Sequence, residues 1–202
     1  MKEINKDFIN NCVQNLDKAD IELSQIPDIN LYMEQLLDFI NSKTAGSKRV
    51  ESNTFTKAMI NNYTKAGLLN PPNNKKYNRE HIILLLLINQ LKQVLSINDI
   101  KTLYQPILQN MDKETISDNI ISIEDIYETF LELKDNEYST AGIDFENKFK
   151  IIKEETKKIT NEDNQDLAEI FLTVIMLVAE ANIAKRLAEE IIDKLLITNN
   201  VQ

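Results

Sequence analysis

From Leu167 to Leu195 the chain places apolar residues at alternating intervals of three and four, and this run restricts its fold more than any other feature. Leu167, Ile170, Val174, Leu177, Ala181, Ala184, Ala188, Ile191 and Leu195 keep the spacing for four heptads, the seam of a helix paired along its length with another. The three alanines at its centre allow close approach. Between residues 170 and 178 the pattern is apolar almost all round, which predicts burial on more than one side. A central helix in an intrachain bundle and a dimerisation seam between two chains fit equally well, and both can hold together.

The rest of the chain agrees with helices. Only 3 glycines and 4 prolines occur in 202 residues, too few for the turns of sandwiches, barrels or phosphate-cradling α/β folds. The expected class is all-α. Helical spacing recurs over residues 7–20, where Phe8, Ile9, Cys12, Val13 and Leu16 share a face. Pro27-Asp28 predicts a break, then a helix with Asp28 or Asn30 as N-cap that buries Leu31, Leu36, Leu37 and Ile40 and ends by Ser42. Residues 43–53 read as a basic loop. Thr56 is a good N-cap for a helix to about Lys65, and Gly67 suits a left-handed position after it.

Asn70-Pro71-Pro72-Asn73-Asn74 demands a tight turn, with residues 75–78 as the return strand of a minimal hairpin. The helical period resumes at Arg79 and runs to Leu95. Ser96-Ile97-Asn98-Asp99 is a capping box by position, opening a helix with Ile100, Leu103 and Tyr104 that is expected to stop at Pro106. Further helices are expected over 112–134, over 144–159, and from Thr160-Asn161 to about Ile197.

Charge divides the chain unevenly. The total is −9, yet residues 43–101 hold ten Lys/Arg against three acids, leaving −16 on the remainder. A basic module inside an acidic body is the charge distribution of a protein that meets a polyanion with one face. The expected division is 1–105, N-terminal helices with a nucleic-acid-binding module, and 106–202, an acidic helical domain for dimerisation or an effector.

The basic segment carries a resemblance. The run from Phe55-Thr56-Lys57-Ala58-Met59-Ile60-Asn61-Asn62-Tyr63 to Gly67-Leu68-Leu69 resembles the recognition helix of the MerR family of transcription regulators. Lys76-Tyr77-Asn78-Arg79-Glu80-His81-Ile82 is similar to the end of that family's wing. Leu95-Ser96-Ile97-Asn98-Asp99-Ile100 looks like the start of the helix after it. Together with Ile26-Pro27-Asp28-Ile29-Asn30-Leu31-Tyr32, residues 26–104 also resemble a Firmicutes family known only as domain of unknown function 1836.

The resemblance implies a MerR-like winged helix-turn-helix with a minimal β-hairpin wing, followed by a C-terminal helical bundle. It implies a homodimeric regulator of transcription binding double-stranded DNA through Thr56, Lys57, Asn61, Asn62 and Tyr63 in the major groove. Lys75, Lys76, Tyr77 and Arg79 would hold the wing on phosphates, with Lys48 and Arg49 reaching further along the backbone. Tyr63 and Tyr77 fit core positions equally well. Asn61 and Asn62 stand where MerR proteins carry Arg and Tyr; an amide reads adenine edges well. A helical protein–protein interaction protein that has lost DNA binding is the competing reading. A small-molecule or protein effector is left open.

Catalysis is not expected. His81 is the only histidine, with no Cys, Asp or Glu at metal-ligand spacing, so no metal or cofactor is expected. There is no Gly-x-Ser-x-Gly elbow and no Gly-rich phosphate loop. Cys12 alone makes no intrachain disulfide. The apolar runs 82–88 and 170–179 fall short of the ~20 residues of a membrane span, and the first residues lack a signal-peptide core. The expected location is the cytoplasm.

Overall fold

The computed structural model describes residues 4–14, 20–44, 54–111, 122–159 and 162–197. Helices α1 (Lys6–Gln14), α2 (Met33–Thr44), α3 (Lys57–Ala66), α4 (Arg79–Leu91), α5 (Ile97–Met111), α6 (Ile123–Thr156) and α7 (Glu162–Ile192) account for most of them. Two short strands, β1 (Leu31–Tyr32) and β2 (Lys76–Tyr77), pair antiparallel with Leu31 opposite Tyr77 and Tyr32 opposite Lys76. Among the described residues the fold is thus mainly α with one minimal sheet. Two compact units form: residues 17–131 with 188–202, and residues 1–16 with 132–187.

The first of these units is organised by α4. Ile82, Ile83, Leu84, Leu85, Leu86 and Ile88 are all buried, so this helix has no solvent face over two turns. A helix apolar on every side must be surrounded. Leu36 and Ile40 of α2, Ile60 and Tyr63 of α3, Ile100, Tyr104 and Leu108 of α5, and Ile123 and Tyr127 of α6 close over it in one cluster. Two tyrosines carry hydrogen bonds into this core. Tyr104 donates to the Leu84 carbonyl at 3.2 Å and Tyr127 to the Ile21 carbonyl at 2.7 Å. Burial pushes both hydroxyls well above the usual phenol pKa, Tyr127 further aided by Asp20 and Glu22, so both stay protonated donors.

Helix α3 is held to α2 by an amide clasp. Asn41 donates through Nδ2 to the Phe55 carbonyl at 3.0 Å and accepts the Phe55 N–H through Oδ1 at 2.8 Å. That pair fixes the entry to α3, whose N-cap Thr56 accepts from the Met59 N–H at 3.2 Å. The exit is fixed by Gly67 at φ 74°, a left-handed position where a Cβ is penalised. A Cβ there would meet only Lys101 Cε at 3.8 Å, so backbone conformation rather than space selects glycine.

The second unit gathers Ile4, Ile9 and Phe149 into a small core, with Val13, Phe145 and Ile170 packed against it. Gly142 lies inside α6 where α1 crosses it, and a Cβ there would touch Val13 at ordinary distance. Lys148 on α6 pairs with Glu180 on α7 at 2.6 Å.

Several expectations are corrected. Leu31 and Tyr32 form a strand rather than the start of α2, because Leu31 buries and Tyr32 faces out, the two-residue alternation of a sheet. Gln35 Oε1 then caps α2 by accepting the Tyr32 N–H at 2.9 Å. Strand β2 finds its partner in β1, 45 residues earlier, instead of only a local return strand. Helix α5 continues through Pro106, whose ring faces outward while Leu108 buries; core packing outweighs the missing backbone bond. The two helices expected over 112–134 and 144–159 are one, α6, from Ile123 to Thr156. The expected positions Ile116, Ile120, Thr160 and Asn161 lie outside the described residues.

Asn41→Ala should lower the urea midpoint with little change in slope, a loss of about 2 kcal/mol, because two part-buried backbone groups at Phe55 lose partners. An unchanged midpoint would show that the clasp does not hold α3.

Candidate nucleic-acid interface

Helix α3 shows one face to solvent. Ile60 and Tyr63 point into the core, and Lys57, Ala58, Asn61, Asn62 and Lys65 are exposed. Intervals of one, three and four place those five residues on one side of a helix. The helix carries no acidic residue, and exposed Thr56 stands at its start. Thus Thr56, Lys57, Asn61 and Asn62 share an outward polar face. Tyr63 does not; it belongs to the core beneath, where burial raises its pKa.

The turn before β2 supplies a second set of cations. Asn73 and Lys76 close it through the Lys76 N–H donating to the Asn73 carbonyl at 2.9 Å. Asn74 at φ 49° and Lys75 at φ 63° both occupy the left-handed region. That pair of conformations is the tight hairpin turn whose twist matches the strands. Asparagine tolerates it, while a lysine there costs about 1 kcal/mol. Lys75 is held in solvent by this turn. Lys76 lies with its ammonium 5.0 Å from the ring centre of exposed Tyr32, a cation–π contact across the β1–β2 pair.

Tyr32 was missed by sequence reasoning because residues 31–32 read as helix. The strand alternation Leu31-in, Tyr32-out is the signal, and it is only two residues long.

Two residues expected to touch DNA have other duties. Tyr77 is buried and meets His81 edge to face, with ring centroids 5.5 Å apart. Arg79 turns inward, donating to the Leu23 carbonyl at 2.8 Å and the Ile26 carbonyl at 3.1 Å. Its Nε lies 3.2 Å from Glu124 Oε1, an ion pair without hydrogen-bond alignment. The guanidinium therefore ties the 3-10 turn Leu23–Gln25 and the first turn of α6 to α4, in place of a phosphate contact. Lys48 and Arg49 lie outside the described residues.

His81 secures the connection between α3 and the turn. The Asn78 N–H donates to Nδ1 at 3.2 Å, and the His81 N–H donates to Asn78 Oδ1 at 3.1 Å, a capping box with histidine in the usual Glu/Gln place. Nδ1 also contacts Asn78 Oδ1, and Nε2 lies 3.2 Å from the Asn70 carbonyl, to which an Nε2–H donates. Leu68 and Leu69, just before Asn70, are fully buried. Burial lowers the His81 pKa, offset in part by the Asn70 carbonyl, Glu80 and the Pro71 carbonyl. Burial thus favours the neutral ring.

Among the described residues no three His, Cys, Asp or Glu side chains converge as a metal site. A shallow depression of about 240 Å³ between α1 and α6, lined by Asn10, Val13, Ser139, Gly142 and Glu146, is smaller than typical ligand clefts.

A family model described as domain of unknown function (DUF1836) matches residues 21–130, which contain α3, the turn and their supports. No curated protein and no solved structure matches the chain.

Two outcomes follow from these placements. Arg79→Met should destabilise the fold by about 2–4 kcal/mol, since two part-buried carbonyls and Glu124 lose their partner, whereas Lys57→Ala should stay within about 0.5 kcal/mol. A depressed His81 pKa means the unfolded chain binds the extra proton first. Stability contributed by His81 is therefore complete above pH ~6.5 and is lost as pH falls from there through the lower folded-state value. His81→Gln keeps an acceptor for Asn78 and should flatten the wild-type fall in unfolding free energy on acidification from neutral pH. Parallel pH profiles for the two chains would contradict the neutral-ring assignment.

Proposed function

We propose that this chain, a member of the family described as domain of unknown function DUF1836, is a DNA-binding regulator that meets duplex DNA with the outer face of α3. The observation that carries the reading is the exposed, acid-free row of Thr56, Lys57, Asn61, Asn62 and Lys65 on a helix fixed at both ends. A rigid helix with a polar face about ten residues long suits the width of a major groove. Lys57 and Lys65 would bind phosphates, and Asn61 and Asn62 would face base edges, where an amide pairs with adenine. Lys75 and Lys76 on the turn would take backbone phosphates beside the groove, with Tyr32 holding Lys76 in place.

The charge distribution supports the same orientation. The acidic remainder of the chain repels a polyanion, so only the basic module faces it. The left-handed conformation of Lys75 is the kind of local strain found where a side chain must be displayed.

Binding to a random-sequence duplex, followed by fluorescence anisotropy between roughly 50 and 300 mM salt, tests the proposal. The wild-type affinity should fall linearly on a log–log scale. The triple variant Lys57→Ala, Lys75→Gly, Lys76→Gln should reduce the slope by about 0.9 for each phosphate no longer neutralised. Lys75→Gly relieves the left-handed strain, so loss of fold is not an alternative explanation at that position. Absence of duplex binding at low salt, or an unchanged slope in the variant, would favour a helical protein–protein interaction protein instead.

A further inference from the structure

Helix α7 uses one side within its own unit and leaves the other uncovered. Ile170 packs on the small core, and Glu169 and Thr173 are buried, with Gln165 donating to Glu169 at 2.9 Å and Thr173 to the Glu169 carbonyl at 2.6 Å. About a third of a turn round the helix, Leu167, Phe171, Val174 and Val178 are 55, 65, 55 and 54% exposed. Ala181 and Lys185 continue the row and are exposed too. The spacing 167, 171, 174, 178, 181, 185 is again four, three, four, three, four. The uncovered seam is therefore rotated from the expected one, in which Ile170 and Ala188 are partly buried inside the chain.

We infer that this row pairs with the same row of a second copy, antiparallel, about a two-fold axis passing beside Met176. In that register Leu167 meets the aliphatic stem of Lys185, Phe171 meets Ala181, and Val174 meets Val178, each pair occurring twice. The largest side chain faces the smallest, which fills space without overlap. A parallel pairing in register sets Phe171 on Phe171, leaves a gap at Ala181, and opposes Lys185 to Lys185. Volume and charge both select the antiparallel arrangement.

The area is sufficient. Leu167, Phe171, Val174, Ile175, Leu177 and Val178, with Ala181 and Lys185, expose on the order of 700 Å², within the range each partner contributes to a standard interface. Met176, Ile183 and Leu187 form a shorter apolar row on another side, broken by Glu180, which is tied to Lys148 at 2.6 Å. Antiparallel pairing through that row would set Glu180 against Ile183. A lipid bilayer is the other candidate cover: by length and composition the helix Asn164–Ile197 could cross one, with a most apolar window of hydropathy 1.9. Lys185 lies in line with the uncovered row, and the buried Glu169 faces Gln165, so the helix is built for a protein neighbour. The pairing is independent of whether DNA is bound.

Sedimentation of the full chain without detergent should give twice 23.3 kDa at micromolar concentration. Val174→Glu with Val178→Glu should give a monomer with unchanged helical circular dichroism, since both side chains are exposed in the single chain. In a Cys12→Ser background, which removes the exposed native thiol, the double variant Phe171→Cys, Ala181→Cys should oxidise to a covalent dimer. Either cysteine alone should not, being about 15 Å from its own copy along the axis. These cross-links decide the matter even if the glutamate variant misfolds. A wild-type monomer, self-cross-linking of a single cysteine, or flotation with phosphatidylcholine–phosphatidylglycerol vesicles would each overturn the inference.

Discussion

Burial of α4 on every side is the constraint from which the rest of the larger unit follows. A helix reading Ile82-Ile83-Leu84-Leu85-Leu86 has no polar face to give to water, so four other helices must enclose it. Each enclosing helix then has one committed face and one free face. The free face of α3 is basic and polar, and the free faces of α2, α5 and α6 are what remains of the surface. The hydroxyls of Tyr104 and Tyr127 bring hydrogen bonds into this shell at backbone carbonyls, so their polarity is matched rather than stranded.

Mounting matters as much as exposure. Helix α3 enters through the Asn41–Phe55 clasp and leaves through left-handed Gly67, Leu68 and Leu69. The chain is then gripped again by the His81 ring at Asn70 before the turn that lifts Lys75. The outer face of α3 and the turn are thus two ends of one short, pinned connection. A backbone fixed in advance has little further entropy to lose on binding, so the ordering cost is confined to the displayed side chains.

The sequence made some of this legible and hid the rest for identifiable reasons. Thr56 and Gly67 act through local backbone geometry, and the structure has α3 between them as their positions imply. Ser96 and Asp99 exchange their two hydrogen bonds as the capping spacing requires. Local rules failed where distant partners decide. Strand β1 exists because of β2 45 residues on, α5 passes Pro106 because Leu108 is buried, and Arg79 turns inward because Leu23 and Ile26 present carbonyls to it. Periodicity likewise announced a paired helix in α7, but only packing shows which side of it the chain has already used.

One rigid, basic face of the larger unit is, on this reading, where a duplex docks. A titration of isotope-labelled protein with a short duplex, followed by backbone amide resonances, locates that face without presupposing it. The perturbed signals should gather at Thr56, Lys57, Asn61, Asn62 and Lys65 and at Asn74, Lys75 and Lys76, leaving the amides of α7 unmoved. Perturbation centred on the acidic helices, or none at any salt concentration, would contradict the docking of DNA on α3.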